Sequence, residues 1–140
     1  MEHTHISWIQ IPVKNIARAS KFYQNVFEAN FFFEELNGMP HAVFKTGNNG
    51  KKLFNGALIE TNEPIGLSTI LFFEATGNFE TFIEQIELNG GKIITPKTLI
   101  TRKESANEYV IPNTYIDNKP GYYAHFLDSE GNKMGLYGTN

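Results

Sequence analysis

Four histidines, His3, His5, His41 and His125, are the side chains of this 140-residue chain best suited to exchange protons near neutral pH. None has a catalytic partner spaced recognisably beside it. His3 and His5 flank Thr4 ahead of the first strand-like segment and read as exposed polar residues. His125 alternates with Tyr123, which puts the two on one face of a strand. His41 opens another strand-like segment. The chain has no cysteine, so disulfides, thiolate metal sites and cysteine nucleophiles are excluded. Gly90–Gly91 is a helix stop and not a phosphate loop, because no helix starts directly after it. Trp8, the only tryptophan, combines a large apolar surface with a donor N–H, which suits either filling a cavity or stacking on a ligand.

Elements that can position these residues are legible from hydrophobic periodicity. Ile9, Ile11 and Val13 alternate with Trp8, Gln10 and Pro12, which predicts a two-faced strand. Asn15 is a candidate N-cap for a helix carrying Ala19, Phe22, Tyr23, Val26 and Phe27 on one stripe. Phe31–Phe33, His41–Phe44 and Ala57–Glu60 read as short strands, separated by Asn37–Gly38 and a Gly-Asn-rich turn at 47–50. The order then recurs. Ser68–Glu74 is a strand, Asn78 a second candidate N-cap, and Phe79, Phe82, Ile83 and Ile86 a second helical stripe. Asn89–Gly90–Gly91 ends that helix, Lys92–Thr95 is a strand, and Tyr122–Leu127 with Lys133–Tyr137 forms a hairpin around Asp128–Asn132. The pattern β-α-β-β-β therefore appears twice. Between Leu99 and Pro120 a polar stretch interrupts the second copy and reads as a long loop, the kind that serves as a lid. Arg102–Lys103–Glu104 within it reads as solvent-exposed, as do the pairs Glu34–Glu35 and Lys51–Lys52.

Composition narrows the function classes. A net charge of −3 without a basic block argues against nucleic acid. The longest apolar run, Ile70–Phe73, is far short of the ~20 residues that span a bilayer. Met1 to Gln10 shows no basic segment followed by an apolar one, so no secretory leader is expected and the expected location is cytoplasmic. Aromatic residues make up 14% of the chain, a surplus that has to be divided between core and site.

The segments Ile11-Pro12-Val13-Lys14-Asn15-Ile16, Ala19, Phe22-Tyr23 and Val26-Phe27 resemble the vicinal oxygen chelate superfamily. So do Leu88-Asn89-Gly90-Gly91-Lys92, Gly121-Tyr122-Tyr123-Ala124 and Asp128-Ser129-Glu130-Gly131-Asn132-Lys133-Met134-Gly135-Leu136. That superfamily includes glyoxalase I, fosfomycin- and bleomycin-resistance proteins and extradiol dioxygenases. The resemblance implies an α+β fold: one domain over 1–140, made of βαβββ modules 1–65 and 66–140. Their eight strands would curl into a cup with the helices on its outer face. Ile9, Ile11, Val13, Met134 and Leu136 would face the helices; Trp8, Gln10, Lys133, Gly135 and Tyr137 would face the cup. Metal-dependent members are similar in carrying ligands at positions that correspond here to Trp8, Thr69 and Gly135, with a fourth near Glu60. Only Glu60 of these could serve well, since Trp8 and Gly135 offer no donor side chain and Thr69 a poor one.

The expectation is therefore a metal-free protein without a cofactor, similar to the bleomycin-resistance type, that binds a small molecule. Trp8, Gln10, His41, Glu60, Thr69, Tyr123, His125 and Tyr137 are its candidate ligand contacts, and no residue is assigned to catalysis. A homodimer is implied by the resemblance; nucleic-acid and membrane partners are not expected. Two alternatives stand beside this reading. One is a lyase or dioxygenase-related enzyme with a non-standard set such as Glu60 with His41 or His125. The other is a degenerate fold kept for protein–protein contact.

Overall fold

A computed structural model describes residues 8–36, 38–62, 70–105, 108–110 and 119–140, with backbone alone for 102–105 and 108–110. His3, His5, Thr69, Ser68, Asn37 and most of the stretch from 106 to 118 lie outside the described residues. The chain divides into two compact units, Met1–Ile65 and Gly66–Asn140.

In the first unit the alternating segment forms β1 (Ile9–Val13), followed by α1 (Ile16–Phe27), β2 (Asn30–Leu36), β3 (Met39–Lys45) and β4 (Gly56–Glu60). The sheet order is β1-β4-β3-β2, with β1 parallel to β4 and the other pairs antiparallel. The helix starts where expected: the Asn15 side chain accepts from the Arg18 amide at 2.9 Å, satisfying one of the free N–H groups of the first turn. Its apolar stripe buries Ala19, Phe22, Tyr23, Val26 and Phe27 against the sheet face bearing Ile11, Val13, Ala42, Phe44 and Leu58. Tyr23 meets Phe44 edge to face at 6.0 Å between ring centroids.

The second unit repeats the scheme with an insertion. β5 (Phe72–Glu74), α2 (Phe79–Leu88) and β6 (Lys92–Leu99) lead to a hairpin of β7 (Arg102–Ser105) and β8 (Glu108–Val110). β9 (Tyr122–Leu127) and β10 (Lys133–Gly138) follow. The main sheet has the order β5-β10-β9-β6, again with the first strand parallel to the last. First, fourth, third, second is thus the strand order in both units, and the fold is α+β with two βαβββ modules, as expected from the repeat. The core of this unit is Phe73, Phe79, Ile86, Ala124, Phe126, Met134 and Leu136.

Three local expectations need correction. The Asn78 side chain makes no N-cap bond; its amide donates to the Thr76 carbonyl at 3.4 Å instead. The backbone there, at φ −132° and ψ 13°, is not the extended conformation that aims a capping oxygen at the next amides. Within the described residues the fifth strand begins at Phe72, although Gly135 N–H still reaches the Leu71 carbonyl at 2.8 Å. The stretch read as a loop from Leu99 carries the β7–β8 hairpin, so Arg102–Lys103–Glu104 lies on a strand.

The Asp128–Asn132 turn explains why that motif is so distinctive. The buried Asp128 carboxylate accepts from the amides of Glu130 and Asn132, both at 2.9 Å, and from Asn132 Nδ2 at 3.0 Å. Gly131 takes the positive φ of 87° that closes the loop. These side-chain bonds of the motif build the hairpin.

Candidate functional site

Strand alternation and register decide which side chains share a face. In the first unit, Gln10 lies beside Ala57, Ala57 beside Val43 and Val43 beside Phe32, one row across all four strands. Trp8, two residues before Gln10, continues that face, and Lys45, two residues after Val43, lies beside Asn30 on it. Around them is a hollow of about 620 Å³ whose lining includes Trp8, Phe32, Val43, Lys45, Lys52 and Asn55. Trp8 is 45% exposed and Phe32 56%. Gln10 is exposed on the same face.

His41, two residues before Val43, is on this same face but does not line that hollow, and Glu60 is on the other face. His41 is buried, and its Nδ1 meets the Met39 carbonyl at 2.8 Å. A carbonyl only accepts, so Nδ1 carries a proton there. It borders a separate hollow of about 310 Å³ with Ile16, Phe33, Glu34, Glu35 and Pro40. Glu60 lies beside Val13, whereas His41 lies beside Ile59, so the two side chains leave opposite faces of the sheet. The Glu60 carboxylate accepts from the Ile16 amide at 2.9 Å. It thereby supplies the negative charge at the start of α1, whose first turn has no acidic residue. Glu60 and His41 are not brought together.

The second unit does gather its candidates. Register places Thr95, His125, Gly135 and Phe72 in one row across β6, β9, β10 and β5. Thr98, Tyr123, Tyr137 and Glu74 form the next row. His125 Nδ1 is 3.1 Å from Thr95 Oγ1, and its ring is flanked by Tyr123 at 5.2 Å and Phe72 at 5.7 Å between centroids. Burial among these rings holds the imidazole pKa below its ordinary value of 6.5, and the nearby Lys133 ammonium adds to the effect. His125 is therefore a neutral ring that can exchange one hydrogen bond through Nε2 near pH 7. Glu74, the carboxylate on this face, is engaged by the Thr76 amide at 2.8 Å and by the Thr76 hydroxyl.

Phe72 and Thr95 were not singled out by sequence. Phe72 is 48% exposed while Phe73 is 8% exposed, an alternation that marks a two-faced strand. More telling is what Phe72 covers. A Cβ built on Gly135 would lie 2.2 Å from Phe72 Cδ1. The space into which a side chain at 135 would project is filled by this ring.

Among the described residues, those at the positions corresponding to metal ligands do not fit a metal. Trp8 and Gly135 have no donor, Phe72 fills the room beside Gly135, and the Glu60 carboxylate is turned to α1. Thr69 lies outside the described residues. Among the described residues no group of three or more His, Asp or Glu side chains is arranged to hold an ion. Nor does any helix among them have the length and apolarity to cross a membrane.

The family model described as Glyoxalase/Bleomycin resistance protein/Dioxygenase superfamily matches residues 5–135. Solved structures agree in fold. A glyoxalase/bleomycin resistance protein/dioxygenase family enzyme from Burkholderia phytofirmans PsJN superposes with a TM-score of 0.58 at 18% identity, over 94% of this chain and 95% of that one. The fosfomycin resistance protein FosX from Listeria monocytogenes, complexed with Mn(II) and sulfate, gives 0.63 at 14% identity over 99% and 95%. A glyoxalase/bleomycin resistance protein from Albidiferax ferrireducens T118 gives 0.53 at 16% identity over 94% and 97%. Among curated proteins none matches the chain in sequence. At these identities the likeness is one of fold.

Proposed function

The chain belongs to the glyoxalase/bleomycin resistance protein/dioxygenase superfamily, and from that premise we propose that it is a metal-free member that binds a small organic molecule. One observation carries the reading: the Phe72 ring occupies the room at Gly135, the position from which metal-dependent relatives project a carboxylate. An aromatic ring in that room replaces a charged ligand with an apolar surface, which favours stacking over ion binding. Beside it, Tyr123, His125 and Tyr137 supply rings with polar tips on one face of the second unit. Trp8 and Gln10 supply the same mixture in the first. A few polar groups set into aromatic surface are the ordinary composition of a small-molecule site. The reading takes the protein to be a cytoplasmic homodimer.

A thermal-shift screen of aromatic and amphipathic compounds, run in the presence and absence of EDTA, tests it. A ligand at about a hundred times its Kd should raise the Tm by on the order of 5–10 °C, since it stabilises only the folded state. The rise should be the same with EDTA. Loss of every shift on chelation would favour a metal-dependent enzyme. Failure of the whole library would favour a fold kept for protein contact.

A further inference from the structure

We infer that the hollow around Trp8 takes a small aryl anion, a flat apolar body carrying a single carboxylate or equivalent charge. This names the ligand class for the first unit and rests on the binding reading above. The hollow, at about 620 Å³, is within the size range of small-molecule sites. Trp8 and Phe32 both border it and are about half exposed, so a planar body resting there would take two large rings out of water.

Among the described residues the charge on its rim is of one sign. Lys45 and Lys52 both line the hollow, and no carboxylate is among its described lining residues. Lys45 Nζ sits 4.6 Å from the centroid of the Phe32 ring, so this cation is held at the aromatic surface. Lys52 Nζ donates to Asn55 Oδ1 at 3.3 Å, an uncharged partner that leaves its charge uncompensated. Among the described residues neither ammonium has a carboxylate within salt-bridge distance, whereas Lys97 pairs with Glu80 at 3.3 Å. A cationic ligand would be repelled by both. A neutral one would gain the stacking and leave the two charges unused. An anion attached to the aryl body gains both.

The test uses the intact protein and Trp8 fluorescence, which reports on this hollow because there is no other tryptophan. The probes are matched acid and amide pairs on benzene, naphthalene and indole scaffolds, corrected for their own absorbance. At least one acid should quench with an affinity about tenfold above that of its amide, the ratio shrinking at high salt. Lys45→Met and Lys52→Met should each cut that ratio about threefold, the double variant bringing it close to one. Lys21→Met, on the exposed face of α1, should keep it. Amides binding as tightly as acids, or a ratio unchanged in the double variant, would overturn the anion assignment and leave small-molecule binding standing. Quenching by no probe, together with no Tm shift in the screen above, would overturn both. A variant that loses its far-UV circular dichroism is replaced by Lys→Gln at the same position.

Discussion

Gly135 and Phe72 make one unit of structure, because the ring occupies the volume that any side chain at 135 would need. Gly135→Ala should therefore displace the ring and cost on the order of 1 kcal/mol, as a modest overpacking does. In a Phe72→Ala background the same substitution should be almost neutral, giving a coupling of about 0.5–1.5 kcal/mol in a urea-denaturation cycle. Additive effects would show that the ring is not there. His125 offers a second check at this scale. Its folded-state pKa lies below 6.5, for burial first and Lys133 second. The unfolded chain takes up the proton at higher pH than the folded one, so stability rises with pH between the folded value and 6.5. Stability is lost as pH falls through that window. Denaturation curves from pH 5 to 8 should show this slope reduced in His125→Gln, and an identical slope in both proteins would rule out the assignment. Alternation already put His125 and Tyr123 on one face. What alternation could not show is Phe72, whose role depends on which strand pairs with β10, a contact more than sixty residues away in the chain.

Asn15 and Asn78 look alike as helix starts, each an Asn before an apolar stripe, and the folded elements separate them. Asn15 accepts the Arg18 amide; Asn78 accepts none from its own helix. Asn15→Ala should cost about 1 kcal/mol, while Asn78→Ala should change stability by no more than about 0.5 kcal/mol. Equal losses in chemical denaturation would contradict the geometry. Composition distinguishes side-chain types, but a cap also needs extended backbone at its own residue, and tertiary packing sets that. Glu60 teaches the same lesson. Its place at the end of β4 was legible, and a carboxylate near the family's fourth ligand position invited a metal role. Register put it beside Val13, on the helix side, where the bare start of α1 claims its oxygen.

At the scale of the whole molecule the repeat was the strongest signal. Two β-α-β-β-β passes along the sequence became two units with the same strand order. The apolar periodicity is legible in both passes because each unit must bury one face of its sheet under its own helix. The β7–β8 hairpin was hidden because β7 is four polar residues and β8 has only three residues, too few to show an alternation. The aromatic surplus also divides. Phe22, Phe27, Phe73, Phe79 and Phe126 are buried, while Trp8, Phe32 and Phe72 remain about half exposed on faces where a ligand can reach them. Those exposed rings, with Gly135 in place of a carboxylate, make the central claim that this member binds without a metal. Elemental analysis of protein purified without added metal, combined with a Mn(II) titration by calorimetry, tests it most directly. The account predicts well under a tenth of a divalent ion per chain and no saturable heat. A stoichiometric ion retained through gel filtration would contradict it.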